Sequence, residues 1–157
     1  AESAFSESKT EVSLVEITTY IIEELKSKSA RDYQVTLIEP IKSVLINPDA
    51  LSIIIMNLLE NAHQYADKES SIKVLIGPNA QIKIQNQCQM LAQNQMPVIT
   101  ERYQRGTKNG QGLGIGLSIV NLLLKQSGGN LSLESPIPNQ TNGFEVTIEW
   151  NSQIQLN

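Results

Sequence analysis

Apolar residues recur at helical spacing in three segments of the chain, which are separated by more polar stretches. Spacings of three and four positions are typical of helices that bury one side against a core. The pattern predicts three helices, at residues 12–27, 47–66 and 117–127. The middle helix has the clearest start, because Asn47 can cap free backbone amides, Pro48 suits the first helical position and Asp49 suits the positive end of the helix dipole. Its predicted buried stripe is Leu51, Ile54, Ile55, Leu58 and Ala62.

Alternating apolar and polar residues predict strands between these helices. The predicted strands lie at residues 33–38, 44–46, 72–76, 82–84, 131–135 and 144–150. Hairpins beside helices predict an α/β sandwich (α+β), with helices layered on one face of a mixed sheet. Residues 86–113 fit neither period, apart from a short helix predicted at 98–103, and loops of this length are usually functional or mobile.

Length and charge restrict the kinds of protein that this chain can be. Its 157 residues are enough for one domain with a real core, and its net charge of -4 argues against nucleic acid as a partner. No uncharged apolar stretch is long enough to span a bilayer, so we expect no membrane contact by this domain. Cys88 is the only cysteine, which favours a reducing, cytoplasmic setting. Without an initiator Met or a signal-peptide pattern, we expect a linker remnant at 1–10, one domain at 11–152 and a tail at 153–157.

Four glycines stand at every second position directly before the third predicted helix. They are Gly110, Gly112, Gly114 and Gly116. Glycine lets backbone amides approach a ligand, and a helix start adds unpaired N–H groups, so the segment predicts an anion site, with phosphate as the anion. The alternative is a flexible linker with a coincidental repeat. Leu117 excludes a P-loop, which needs Gly-Lys-Ser or Gly-Lys-Thr there, and no strand directly precedes the segment as in a dinucleotide fingerprint.

Polar side chains gather on one side of the middle helix near its end. Asn57, Asn61, Gln64 and Tyr65 share this side, although Asn is a poor helix former. Amide oxygens are suitable ligands for a Mg²⁺ ion that already carries phosphate oxygens. The alternative is that both asparagines simply face solvent. His63, the only histidine, points away from them, and we expect a surface residue without a catalytic role.

With these two features the chain resembles the GHKL ATPase superfamily and, within it, the catalytic domain of sensor histidine kinases. The segment from Asn57 to Tyr65 resembles the family's N box, and Gly112 to Val120 resembles its G2 box. Gly128-Gly129-Asn130-Leu131 and Gly143-Phe144 are similar to the closing strands. Residues 102–106 resemble the arginine segment ahead of the ATP lid. The resemblance implies a Bergerat-type fold, in which a mixed, mostly antiparallel sheet is covered on one face by about three helices.

The resemblance also implies roles for individual residues. Asn61 is expected to coordinate Mg²⁺ with help from Asn57, and Arg105 to reach the phosphates or hold a short lid at residues 105–111. The remaining ATP-binding residues implied by the resemblance are Tyr65 and Asn86 at the adenine, with Gln64, Gly112, Leu113, Gly114, Ile115, Gly116 and Leu117 around the phosphates.

Two positions depart from the family pattern. The G1 box has an Asp followed by glycines two and four positions later, but this chain has Asn86, Cys88 and Met90. A neutral amide oxygen accepts a weaker hydrogen bond than a carboxylate does, and the lost glycines narrow the expected adenine pocket. Gln64 replaces a lysine that many members carry, which removes a positive charge from the phosphate site.

The function that the resemblance implies is transfer of the γ-phosphoryl group of ATP to a histidine on a separate helical hairpin. The expected partners are that phosphoacceptor hairpin and, through the intact kinase, a response regulator. The expected location is a cytoplasmic domain of a protein anchored in the bacterial inner membrane. One alternative is a GHKL ATPase of the gyrase, chaperone or mismatch-repair type, but those carry a Glu where Asn57 stands, and Asn cannot take a proton from water. The other alternative is a degenerate domain that acts as a docking or regulatory module.

Overall fold

The computed structural model describes residues 8–88 and 115–151, with the backbone alone at residues 115–117. Three helices lie in this part of the chain: α1 (Leu14–Lys26), α2 (Pro48–Tyr65) and α3 (Ile115–Gln126). The strands are β1 (Thr10–Val12), β2 (Tyr33–Leu37), β3 (Val44–Ile46), β4 (Ile72–Ile76), β5 (Gln81–Asn86), β6 (Asn130–Glu134) and β7 (Phe144–Glu149).

Five of the strands form one mixed sheet in the order β2-β4-β5-β7-β6. The β2-β4 pair is parallel, and the β4-β5, β5-β7 and β6-β7 pairs are antiparallel. A separate two-stranded antiparallel sheet pairs β1 with β3. The mixed, mostly antiparallel sheet that the sequence predicted is therefore confirmed.

The core lies between one face of the five-stranded sheet and the helices. In the central strand β5, Ile82 and Ile84 are buried while Lys83 between them is only half-buried, as the pleat of a strand covered on one face requires. Helix α2 contacts α1, α3 and β5, so it is the central helix of the covering layer. Its predicted stripe is confirmed, since all five residues, Leu51, Ile54, Ile55, Leu58 and Ala62, are buried.

The predicted elements match the structure closely, with one omission. Asn47 caps α2 as predicted, because its side chain accepts a hydrogen bond from the Ala50 amide at 3.0 Å. Strand β1 was not predicted, since three residues are too few to show alternation. The short helix predicted at 98–103 lies outside the described residues. Within the described ranges, no helix is long and apolar enough to cross a membrane.

Candidate functional site

The two asparagines of α2 are not simply solvated. Asn61 is 5% exposed and Asn57 is half-buried. The Asn57 Nδ2 donates to the carbonyl oxygen of Ile53 at 2.8 Å, one turn earlier in the same helix. This bond uses the amide nitrogen, so the Asn57 amide oxygen is the atom turned away from the helix. The burial contradicts the alternative in which both side chains face water.

The start of α2 lies beside the end of α3, and the two helices pack against each other. Asn47 and Ala50, at the start of α2, share a small cleft with Leu123 and Gln126, at the end of α3. The distance along α3 from Ile115 to Gln126 equals the distance along α2 from Ala50 to Asn61. Each is about 16 Å at 1.5 Å per residue. Antiparallel axes would bring the first turn of α3 level with Asn61, and the backbone amides of such a turn have no partner within their own helix.

A second group of side chains lies one helical turn beyond Asn61; we call Tyr65, Asn86, Cys88 and Phe144 the amide–aromatic cluster. The Tyr65 and Phe144 rings have centroids 6.5 Å apart and an interplanar angle of 47°. Phe144 pairs in register with Asn86 across β5 and β7. The Gly143 amide donates to the Cys88 carbonyl oxygen at 3.0 Å, which fixes the chain after β5 against the start of β7. Two aromatic rings and an amide head group thus meet at the end of α2.

Asn86 is the most unusual polar residue of this cluster. It is 2% exposed, and its Nδ2 atom is buried without a hydrogen-bond partner among the residues that the structure describes. The pleat places its side chain on the same face as Ile82 and Ile84, which is the face that the helices cover. An unsatisfied buried amide costs about 1–3 kcal/mol. A ligand that supplied the missing partner would remove this cost.

The Cys88 thiol next to Asn86 is a neutral group near physiological pH. Burial raises the pKa of Cys88, the nearby Asp67 carboxylate raises it further, and the Asn86 amide acts in the opposite direction. The thiol is half-buried, so it is not poised for reaction as a thiolate. The Cys88 side chain therefore adds bulk to the amide–aromatic cluster but no charge.

Arg31 holds the end of α2 in place, a role that the sequence pattern did not suggest. Its guanidinium donates to the carbonyl oxygens of Asp67 at 2.7 Å, Ser70 at 2.8 Å and His63 at 3.2 Å. A cation at a helix C-terminus also complements the dipole. The turn that carries Tyr65 is therefore tied to the segment between α1 and β2. His63 takes part through its backbone, and its side chain is half-buried.

The structure brings part of the predicted site together. Asn57, Asn61 and Tyr65 lie along the end of α2, and Gln64 is exposed on the same helix. Asn86 pairs with Phe144, whose ring lies next to the Tyr65 ring. The backbone of Ile115, Gly116 and Leu117 forms the first turn of α3. Arg105, Gly112, Leu113, Gly114 and the lid predicted at 105–111 lie outside the described residues. Phe144, which the sequence pattern placed only in a closing strand, belongs to this site as well.

The side chains of this site suit a nucleotide better than a metal ion that the protein would hold by itself. Within residues 8–88 and 115–151, no cluster of three His, Cys, Asp or Glu side chains could hold a metal alone. The Asn57 and Asn61 amide oxygens suit Mg²⁺ only as partners to phosphate oxygens, which supply the negative charge. The unpartnered Asn86 amide and the two rings suit the edge and faces of a planar base.

Comparisons with known proteins identify the family of this chain. The family described as histidine kinase-, DNA gyrase B-, and HSP90-like ATPase matches residues 46–154. The sensor protein KdpD of Escherichia coli (strain K12) is 25% identical over 157 residues; the match covers 97% of this chain, and the chain spans 17% of the length of KdpD.

Solved structures of histidine kinases share the fold. The mycobacterial sensor histidine kinase MprB has a TM-score of 0.69 at 19% identity, with 89% of this chain and 95% of that chain covered. Full-length ShkA in complex with AMPPNP has a TM-score of 0.72 at 16% identity, with 91% of this chain and 31% of that chain covered. The match over residues 46–154 includes α2, the amide–aromatic cluster and α3, so the chain belongs to the histidine kinase-, DNA gyrase B-, and HSP90-like ATPase family, and the predicted resemblance to histidine kinase catalytic domains is confirmed.

Proposed function

We propose that this chain binds Mg-ATP and donates the γ-phosphoryl group to a histidine on a separate phosphoacceptor hairpin. The observation that carries the proposal is the buried Asn61 on α2, the helix that packs against α3, one helical turn from a cluster that suits a base. Phosphoryl transfer requires mainly positioning and charge neutralisation from the protein. A base held at one end and phosphates held at the other provide that positioning.

Each group has a defined task in this proposal. The amide–aromatic cluster binds the base, with Tyr65 against a ring face and Asn86 at the base edge. The backbone amides at the start of α3 bind phosphate oxygens, and Asn61 and Asn57 hold the ion, which supplies charge neutralisation when bound. Arg105 and residues 105–111 would close over the phosphates, and Gln64 borders them without charge.

The acceptor histidine is proposed to lie outside this chain. The only histidine is His63, whose half-buried side chain is on the helix segment that Arg31 ties down. The partners in this proposal are the phosphoacceptor hairpin and a response regulator. A cytoplasmic location in a membrane-anchored kinase belongs to the same proposal and rests on the family resemblance.

Calorimetric titration with Mg-ATP tests the proposal. We expect binding at micromolar to submillimolar concentrations, and Asn61→Ala should weaken it by about tenfold or more through loss of an ion ligand. Glu60→Ala is the matched control, because this exposed neighbour on α2 lies off the proposed ion site. No binding at millimolar nucleotide would contradict the proposal and favour the docking or regulatory module.

A water-activating ATPase is disfavoured by the environment of Asn57. Its amide nitrogen is committed to Ile53, and an amide cannot act as a general base. Steady hydrolysis of ATP by the chain alone, abolished by Asn61→Ala, would revive that alternative. Phosphate release is therefore measured on the same samples as the titration.

A further inference from the structure

The chemistry of Asn86 bears on which purine the site accepts. Asn86 ends β5 with its side chain on the helix-covered face, next to the Tyr65–Phe144 ring pair. It is 2% exposed, and its Nδ2 makes no hydrogen bond of ordinary length to the described residues, although the amide lies close enough to the Cys88 sulfur to lower the pKa of that thiol. The cluster therefore offers a bound base an unused hydrogen-bond donor, which a carboxylate at the same place would not have.

A primary amide presents a donor and an acceptor side by side. Adenine offers an amino donor at C6 beside the N1 acceptor, and a 6-oxopurine offers a carbonyl acceptor at C6 beside an N1–H donor. An Asn amide complements both edges, because turning the amide plane by half a turn exchanges its nitrogen and oxygen. A carboxylate oxygen placed at the 6-position accepts from the adenine amino group, whereas at a 6-oxopurine the same oxygen faces another acceptor.

The Asp67 carboxylate acts on the Cys88 thiol but is not part of the amide–aromatic cluster. Burial and Asp67 keep the Cys88 thiol protonated, so it adds no negative charge beside a 6-oxo group. The rings of Tyr65 and Phe144 contact a base through its faces, which differ little between the two purines. Discrimination at the 6-position therefore depends on Asn86.

We propose that Asn86 makes this site tolerant of 6-oxopurine nucleotides, so that it binds an inosine or guanosine triphosphate nearly as well as ATP. This inference rests on the proposed nucleotide site and adds the substrate class. It predicts that the site selects purine nucleotides but does not require adenine.

The test compares Mg-ATP with Mg-ITP by calorimetry, because ITP changes the 6-position and N1 without adding the 2-amino group of guanine. For the unaltered chain we expect the two dissociation constants to differ by less than about tenfold. Asn86→Asp should widen the preference for ATP by at least about tenfold, because a buried acceptor then faces an acceptor. Gln87→Glu adds the same charge at the next residue, whose side chain bonds Gln140, and should leave the ratio unchanged.

A second variant protects the test against misfolding of Asn86→Asp. Asn86→Ser removes the amide and should weaken both nucleotides, with a ratio near one. The proposal is overturned if the unaltered chain binds ATP and rejects ITP by more than about a hundredfold, or if Asn86→Asp folds and leaves the ratio unchanged. Those results would leave ATP binding intact, whereas failure of both nucleotides to bind would overturn the proposed function as well.

Discussion

Arg31→Met removes the guanidinium that ties down the end of α2. The side chain spans from the segment after α1 to three carbonyl oxygens, those of His63, Asp67 and Ser70. Met keeps most of the aliphatic stem, so the change isolates the hydrogen bonds and the charge. The perturbation acts on the last turn of α2 and on the turn that follows it.

The expected cost follows from these three bonds. A hydrogen bond that involves a charged group contributes about 1.5–3 kcal/mol where it is buried. The bond to Asp67 is exposed and those to Ser70 and His63 are partly buried, so each is discounted for competition with water. We expect a total loss of about 2–4 kcal/mol in the free energy of unfolding, which for a chain of this size lowers Tm by about 5–12 °C.

Urea unfolding and thermal melts measure this loss directly. Lys28→Met is the matched control, because it removes the same charge from an exposed side chain on the segment just before Arg31. Arg31→Lys should recover less than half of the loss, since one ammonium cannot reach three divergent carbonyl oxygens as a planar guanidinium does. If Arg31→Met lowers the free energy of unfolding no more than Lys28→Met does, the Arg31 guanidinium does not stabilise the end of α2.

Three further predictions concern packing and ionisation elsewhere in the fold. Gly129→Ala should destabilise the fold by about 1–3 kcal/mol, because a Cβ there would lie 2.7 Å from the Trp150 Nε1 atom. Ser127→Ala should cost about 1–3 kcal/mol, because the buried Trp150 Nε1–H donates to the Ser127 hydroxyl at 2.8 Å. Burial raises the pKa of Cys88 above its ordinary value of 9.0, so the unfolded chain loses the thiol proton at lower pH than the folded chain does. The free energy of unfolding, relative to that of Cys88→Ala, should therefore fall as pH rises from 9.0 towards the raised pKa.

Each of these predictions has its own contrary result. If Gly129→Ala and Ser127→Ala unfold at the same urea concentration as the unaltered chain, Trp150 does not pack against these two residues as described. Iodoacetamide should alkylate Cys88 more slowly in the folded chain than in urea at the same alkaline pH. Equal rates in both states would show that burial does not raise the thiol pKa.

The sequence predicted the helices well because local rules decide them. The Asn47 cap and the apolar stripe of α2 involve residues within one or two turns of each other, so periodicity and capping preferences suffice. The β5 alternation likewise showed which residues face the core. Strand β1 was missed because its partner β3 is distant in sequence and supplies the pairing.

The parts of the site that depend on distant contacts could not be predicted. Arg31 reaches carbonyl oxygens that lie 32 to 39 residues away, and nothing around it in sequence distinguishes it from a surface cation. Phe144 meets Tyr65 only because β7 pairs with β5. The amide at Asn86 was visible as a departure from a family pattern, but the lack of a partner for its buried Nδ2 among the described residues appears only in three dimensions.

Backbone amide NMR with increasing Mg-AMPPNP tests the central claim, namely that the ends of α2 and β5 and the start of α3 form one nucleotide site. We predict that the largest shifts occur at Asn61, Tyr65, Asn86 and Phe144 and at the first turn of α3, and that they saturate together. Saturating shifts confined to another surface, or no shifts at millimolar nucleotide, would contradict the account.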